Sequence, residues 1–144
     1  MSLDLIKRIS QERKNIQYEN IEEYKLIKGI KKILSFLKSK GHIIALTTGS
    51  SKDFVKKILK LNKFYDYFDI IVTGEDFASS KPNPECYEIT LKKMNLNPSE
   101  VIIIEDSPAG ITAAKKLGCR VFAVKTYFCL LYTSPSPRDR TRSR

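Results

Sequence analysis

One segment, Val101–Gly110, constrains the fold of this 144-residue chain more than any other. Its first four residues are all β-branched, which predicts a buried strand, and Ser107 followed by Pro108 predicts that a helix begins directly after it. Glu105 and Asp106 lie between the two elements, at a strand end where open α/β sheets bind their ligands. Neighbouring carboxylates repel each other unless a cation neutralises them, and oxygen ligands suit Mg²⁺. An alternative of equal weight is that Asp106 or Ser107 only caps the helix.

A second apolar strand is predicted over residues 43–47, and it ends in Thr48, Gly49 and Ser50. A hydroxyl group and free backbone N–H groups at the end of a strand suit phosphate oxygens. The alternative is an ordinary strand-to-helix turn, in which Ser50 or Ser51 caps the helix that follows.

Lys81 lies in a proline-rich segment that reads Ser-Lys-Pro-Asn-Pro-Glu. The proline after Lys81 favours an extended backbone at the lysine. Asn83, Pro84 and Glu85 are typical of a helix cap, a first helical turn and a favourable acidic charge near the helix N-terminus. By itself, Lys81 is more simply interpreted as an exposed surface lysine.

Apolar spacing predicts alternating helices and strands along the rest of the chain. Residues 3–24 are polar and helix-forming. Further helices are predicted over 30–41, 51–61, 84–94 and 108–117, with strands over 43–47, 70–72, 101–105 and 120–124. Strands that alternate with helices predict an α/β fold built on a parallel, doubly wound sheet. The predicted core includes Ile30, Ile33, Leu34, Leu37, Phe54, Val55, Ile58, Leu59 and the aromatic cluster Phe64, Tyr65, Tyr67 and Phe68.

Three motifs in a fixed order resemble the haloacid dehalogenase superfamily of phosphohydrolases, and in particular its β-phosphoglucomutase-like branch. They are Thr-Gly-Ser at 48–50, Ser-Lys-Pro-x-Pro at 80–84 and Glu-Asp-Ser-x-x-Gly at 105–110. Each motif alone is weak, and the resemblance depends on their order along alternating strands and helices. It implies a partial Rossmann-like core over residues 26–128, with residues 1–25 as a candidate remnant of a cap or linker helix.

The family's chemistry assigns a role to each motif. In the family, an aspartate attacks the substrate phosphorus and forms an aspartyl-phosphate that water then hydrolyses. The resemblance implies that Thr48 and the N–H of Gly49 hold phosphoryl oxygens. It also implies that Lys81 neutralises the nucleophile and the developing charge, and that Glu105 and Asp106 hold Mg²⁺ as the cofactor.

The family's first motif, Asp-x-Asp, has no counterpart, because no Asp-x-Asp triplet occurs in the sequence. The N-terminal acids from Asp4 to Glu23 lie in a charged, helix-like stretch and not at the end of an apolar strand. In the family this motif ends the central strand of the sheet. We therefore expect a fragment that lacks its first, central strand and its nucleophile, and that is inactive alone.

The composition changes after Phe128. Residues 129–144 resemble the translation of a sequencing adaptor, so we interpret them as a non-native tail and expect them to be disordered or extended. The alternative is a basic tail that binds nucleic acid. The tail holds four arginines and one aspartate, which leaves +7 of the net charge of +10 to the rest of the chain. The lysines in that remainder are scattered, which favours a solvated surface over a nucleic-acid patch.

Cysteine content and hydropathy add only broad limits. Cys86 and Cys119 are predicted to be small core residues, since no metal-ligand spacing links them. No apolar run approaches the roughly twenty residues that span a membrane. We therefore expect a cytoplasmic, Mg²⁺-dependent phosphohydrolase fragment that acts on small phosphorylated metabolites, without a nucleic-acid or membrane partner and with its oligomeric state open. The alternatives are a sugar-phosphate mutase of the same family, a degenerate non-catalytic binder of phosphate ligands and, more distantly, a basic nucleic-acid-binding module.

Overall fold

The computed structural model describes residues 2–24 and 27–124 and divides the chain into two compact units, Met1–Glu75 and Asp76–Arg144. The N-terminal unit contains the helices α1 (Leu3–Glu19), α2 (Ile30–Ser39) and α3 (Lys52–Leu61), the strands β1 (Ala45–Thr47) and β2 (Ile70–Val72), and 3-10 turns at Ile21–Glu23 and Tyr65–Tyr67. The C-terminal unit contains α4 (Glu85–Met94), β3 (Ile102–Glu105), α5 (Pro108–Lys116), β4 (Arg120–Ala123) and a 3-10 turn at Pro98–Glu100.

The described strands form two parallel two-stranded sheets, one in each unit. In the N-terminal unit β1 pairs with β2, with Ala45 opposite Ile70 and Thr47 opposite Val72. In the C-terminal unit β3 pairs with β4 and ends with Glu105 opposite Ala123. The predicted α/β class and the parallel strand direction are confirmed. Among the described residues, the strands belong to these two small sheets.

The core of the N-terminal unit lies between its helices and sheet. Its buried residues are Leu34, Ile44, Val55, Leu59 and Phe64, and Ile30, Leu37, Ile58, Tyr67 and Phe68 pack against them. Two predicted core residues are wrong: Ile33 is 50% exposed, and Tyr65 is exposed as well. Ile33 is one position away from Leu34, and a rotation of about 100° per residue takes it off the buried stripe of α2.

In the C-terminal unit, the buried residues Cys86, Tyr87, Ala113 and Ala114 form the core, with Ile103 and Val121 packed against them. Cys119 is also buried, and burial raises the pKa of both described thiols. The described cysteines are therefore small core residues, as predicted.

The prediction that the β-branched run of β3 is fully buried is wrong. Ile102 and Ile104 are 51% and 57% exposed, whereas Ile103 packs into the core. Successive side chains of a strand point to opposite faces, and α5 packs against β3 and β4. The face that carries Ile103 and Glu105 is therefore covered, while Ile102 and Ile104 project from the opposite face.

Two further predictions concern the ends of the chain. The predicted N-terminal helix is present as α1, where the Ser2 hydroxyl accepts a hydrogen bond from the N–H of Leu5 at 3.3 Å and Tyr18 packs edge-on against Phe54. The predicted tail at 129–144 lies outside the described residues, and the boundary near residue 25 stays a prediction.

None of the helices in residues 2–24 and 27–124 combines the length and the apolar character that a bilayer crossing requires.

Candidate active site

The carboxylate of Glu105 is the centre of a hydrogen-bond network at the end of β3. The ammonium of Lys81 and the hydroxyl of Tyr87 both donate to Oε1, the latter at 2.5 Å. Oε2 accepts from the backbone N–H of Asp106 and of Ser107, each at 3.2 Å, and from the Ser107 hydroxyl at 3.0 Å. A carboxylate has about four lone-pair positions, so five donors use its accepting capacity fully.

This network controls the ionisation of Glu105. Burial alone raises the pKa of the carboxyl group, since Glu105 is only 9% exposed. The hydrogen bonds from Lys81 and Tyr87 and the charge of Lys81 outweigh that effect and lower the pKa to about 2. Tyr87 shows the opposite shift, because burial and the adjacent Glu105 carboxylate raise the pKa of its phenol. The structure thus holds Glu105 as an anion and Tyr87 as a neutral donor.

The loop that carries Lys81 is held by the first turn of α4. Asn83 accepts a hydrogen bond from the N–H of Glu85 at 2.9 Å, but Pro84 occupies the cap position of α4 that was predicted for Asn83. The Glu85 carboxylate accepts from the N–H of Ala78 at 3.0 Å and of Ser79 at 2.7 Å, and these bonds lower its pKa. The peptide bond from Lys81 to Pro82 is cis. Lys81, which by itself suggested a surface lysine, is ion-paired to Glu105 and only 20% exposed in its side chain.

The start of α5 explains why the third motif has a serine and a glycine. The Ser107 hydroxyl accepts a hydrogen bond from the N–H of Gly110 at 3.1 Å while it donates to Glu105, so Ser107 caps α5 and also binds the carboxylate. A Cβ on Gly110 would overlap the Glu105 carboxyl group. Since that group is held by five donors, it has little freedom to move away, and only glycine fits at position 110.

Asp106 is the stronger candidate for a direct Mg²⁺ ligand. It is half-buried next to Glu105, at the carboxyl end of β3. Within residues 2–24 and 27–124, no three His, Cys, Asp or Glu side chains come together as a metal cluster. Mg²⁺ is commonly held by one or two carboxylates together with substrate phosphate and water. The chemistry of Asp106 fits that donor set, whereas the five donors on Glu105 compete with direct metal binding.

In the N-terminal unit, the predicted phosphate-binding turn follows β1. The N–H of Thr48 donates to the carbonyl of Val72 at 2.9 Å, and the Thr48 hydroxyl accepts from the N–H of Ser50 at 3.2 Å. Gly49 is exposed, with open space around its Cα. Gly74 packs against this turn, and its N–H donates to the carbonyl of Ser50 at 2.9 Å. A Cβ on Gly74 would overlap the carbonyl oxygen of Gly49, so only glycine fits there. The N–H of Ser50 is thus used within the turn, and the binding of phosphate oxygens by this turn stays a prediction.

The predicted cap of α3 is only partly correct. Ser51 occupies the cap position, but its side chain makes no cap hydrogen bond. The N–H of Lys52 donates instead to the carboxylate of Glu75 at 3.1 Å. An acid distant in sequence therefore satisfies a donor at this helix end.

Sequence reasoning placed Lys81 and Glu105 in the site, and the structure brings them into direct contact. It missed Tyr87 and Ser107 as partners of Glu105. The apolar spacing of α4 identifies Tyr87 only as a core residue, and nothing in that spacing indicates where its hydroxyl points.

The lowered pKa of Glu105 predicts a loss of stability in acid. Its charged form is favoured in the folded state, so the contribution is complete above the ordinary pKa near 4.5 and is lost as the pH falls toward 2. At 1.36 kcal/mol per pKa unit, the loss is roughly 3 kcal/mol. Urea unfolding at pH 6, 4 and 3 measures it. We expect the stability difference between the wild type and Glu105→Gln to shrink over this range, and a constant difference would contradict the assignment.

Comparison with known proteins identifies the family. A family model for haloacid dehalogenase-like hydrolases matches residues 2–124. The chain belongs to this family. A phosphorylated carbohydrates phosphatase from Thermotoga maritima is 34% identical over 119 residues, which cover 82% of the chain and 54% of that protein. This haloacid dehalogenase-like chain spans about half the length of the curated relatives it matches.

Solved structures of two relatives share its fold. β-Phosphoglucomutase from Clostridium difficile aligns with a TM-score of 0.77 at 29% identity, over 91% of the chain and 59% of that protein. CbbY from Rhodobacter sphaeroides, solved in complex with phosphate, aligns with the same TM-score at 25% identity, over 91% of the chain and 59% of that protein. The predicted family and fold are confirmed.

Proposed function

We propose that the chain is part of a phosphohydrolase that acts on small phosphate esters through an aspartyl-phosphate. The observation that carries the proposal is the charged group at the end of β3, where Lys81 is ion-paired to Glu105 beside Asp106 in a chain of this family. The phosphatase from Thermotoga maritima is named for phosphorylated carbohydrates, which supports a small phosphorylated metabolite as the substrate class.

Each unit has its own proposed role. In the N-terminal unit, the Thr48 hydroxyl and the N–H of Gly49 donate to phosphoryl oxygens. In the C-terminal unit, Lys81 places a positive charge beside the reacting group, where it stabilises negative charge that develops in the transition state. Glu105 keeps that ammonium in place.

Mg²⁺ is the proposed cofactor, held by Asp106 through a carboxylate oxygen. When bound, it neutralises phosphate charge and orients the phosphoryl group. The resemblance implied that Glu105 also binds Mg²⁺. Because five donors already occupy its carboxylate, we propose that Glu105 holds Lys81 in place instead.

The nucleophile is proposed to be an aspartate outside the printed residues. The support is that the sequence contains no Asp-x-Asp triplet and that the chain spans about half of its curated relatives. A phosphomutase is the second candidate, favoured by the structural likeness to β-phosphoglucomutase. A degenerate phosphate binder is the third, and it also would lack the nucleophile.

Binding of inorganic phosphate tests the proposal without turnover. In titration calorimetry with Mg²⁺ present, we expect the chain to bind orthophosphate and Lys81→Ala to weaken binding by about tenfold or more, since a charge-assisted contact is lost. Thr48→Val, which removes only the hydroxyl, is expected to weaken binding less. Lys92→Ala, on the exposed face of α4, is the matched control and should leave the affinity unchanged. Equal binding by Lys81→Ala and Lys92→Ala would refute the assigned role of Lys81.

A further inference from the structure

Tyr87 makes two separate contacts with the ion pair of Lys81 and Glu105. Its hydroxyl donates to Glu105 Oε1 at 2.5 Å, the same oxygen that accepts from the Lys81 ammonium. Its ring lies under that ammonium, with Lys81 Nζ 4.7 Å from the ring centroid. One side chain therefore contacts both members of the pair, the anion through a hydrogen bond and the cation through a cation–π interaction.

The ring of Tyr87 is itself fixed by the core of the C-terminal unit. Tyr87 is 4% exposed and belongs to the buried cluster with Cys86, Ala113 and Ala114. Ala113 and Ala114 lie on α5, whereas Tyr87 lies on the first turn of α4. The phenol therefore connects the packed interior to a charged pair whose lysine is partly open to solvent, with its side chain 20% exposed.

Packing alone does not explain the hydroxyl. Phenylalanine would fill the same space and keep the ring under Lys81, but it would leave Glu105 Oε1 with Lys81 as its only donor among the described contacts. Lysine side chains have many rotamers and lose much conformational entropy when they are held in one position. A second, rigidly placed donor on the same oxygen limits the positions that the carboxylate can take, and with it those of the ammonium.

We propose that Tyr87 is a positioning residue, which holds Glu105 and through it the Lys81 ammonium in the orientation that phosphate binding needs. The proposal rests on the proposed function for its consequence, but the placement of Lys81 is measurable without any ligand.

The test compares Tyr87→Phe with the wild type in the full chain. The first measurement is the NMR signal of the Lys81 ammonium and its exchange with water, assigned with Lys81→Arg. We expect Tyr87→Phe to keep the amide spectrum of the folded chain while the Lys81 ammonium exchanges about tenfold faster, the effect expected for one lost hydrogen bond to a charged group. If Tyr87→Phe does not fold, 4-fluorophenylalanine at position 87 fills the space of the hydroxyl without donating a hydrogen bond. Tyr65→Phe, at an exposed tyrosine, is the matched control and should leave the Lys81 signal unchanged.

The second measurement is the affinity for orthophosphate with Mg²⁺. We expect Tyr87→Phe to weaken binding about tenfold, as one lost hydrogen bond in a charged network does, and Tyr65→Phe to have no effect. An unchanged Lys81 signal in a folded Tyr87→Phe chain would overturn the positioning role. Absence of phosphate binding in the wild type would refute the proposed function, and the Lys81 signal would still decide the role of Tyr87.

Discussion

The chain as printed is expected to hydrolyse no small phosphate ester at a measurable rate with excess Mg²⁺, and to gain turnover once a nucleophile is supplied. Lys81 and Asp106 are the proposed sources of positive charge and of a metal ligand, but the sequence has no Asp-x-Asp triplet to form the covalent intermediate. Loss of a nucleophile typically costs on the order of 10⁴–10⁶-fold in turnover. Release of phosphate from a panel of sugar phosphates measures the rate.

Joining the Asp-x-Asp segment of a complete family member to residue 2 supplies the missing group. We expect turnover to rise by at least about 10³-fold, a conservative part of the loss that the missing nucleophile causes. Three controls define the origin of that activity: the joined chain with its first Asp changed to Asn, with Lys81→Ala and with Lys92→Ala. The first two should be inactive and the third unaffected.

Three results would contradict this interpretation. Metal-dependent hydrolysis by the printed chain, lost on Glu105→Ala with Asp106→Ala, would require another nucleophile within it. A joined chain that folds and binds phosphate but stays inactive would favour the degenerate binder. Transfer of phosphate between positions of a sugar, in place of release to water, would favour the mutase.

Glu105→Ala is expected to lower the free energy of unfolding by about 3–5 kcal/mol, as removal of one partner from a buried ion pair typically does. The substitution leaves the Lys81 ammonium and the hydroxyl groups of Tyr87 and Ser107 without their acceptor. Each buried donor that loses its partner costs desolvation free energy that water cannot fully restore. The substitution also leaves a cavity beside Gly110 of α5, in the space that the carboxyl group fills.

Urea unfolding at pH 7 measures this loss. Glu105→Gln keeps the volume and one acceptor oxygen, so we expect a smaller loss than for Glu105→Ala. The matched control is Glu88→Ala, at an exposed acid of α4, which should change stability by no more than about 0.5 kcal/mol. A loss below about 1 kcal/mol for Glu105→Ala would show that the network adds little to folding, since that is the size of one ordinary hydrogen bond.

The order and type of the helices and strands could be predicted from the sequence, because they depend on local spacing and on residues near each element's end. The stops at Gly41 and Gly118 are clear cases, since both glycines have the positive φ that follows a helix end. Ser107 was a candidate cap for the same reason, as its partner Gly110 lies three residues away. The motif order also identified the family.

The contacts of each side chain could not be predicted in this way. The β-branched run at 101–104 predicts a strand buried on both faces, but a two-stranded sheet with α5 on one face leaves Ile102 and Ile104 exposed. The number of strands in a sheet and the faces that helices cover depend on how the whole unit packs. They cannot be predicted from the residues of one strand.

In the candidate site, too, the sequence determined some features and the tertiary structure determined others. The sequence by itself determined which residue types are present: a lysine before proline, two acids after a strand, a glycine five residues after the first acid. Only the tertiary structure decided that Lys81 and Tyr87, 24 and 18 residues away from Glu105, donate to the same carboxylate oxygen. Contacts at such separations form because α4 and α5 pack on a common core, and the free energy of that packing is not a property of any short segment.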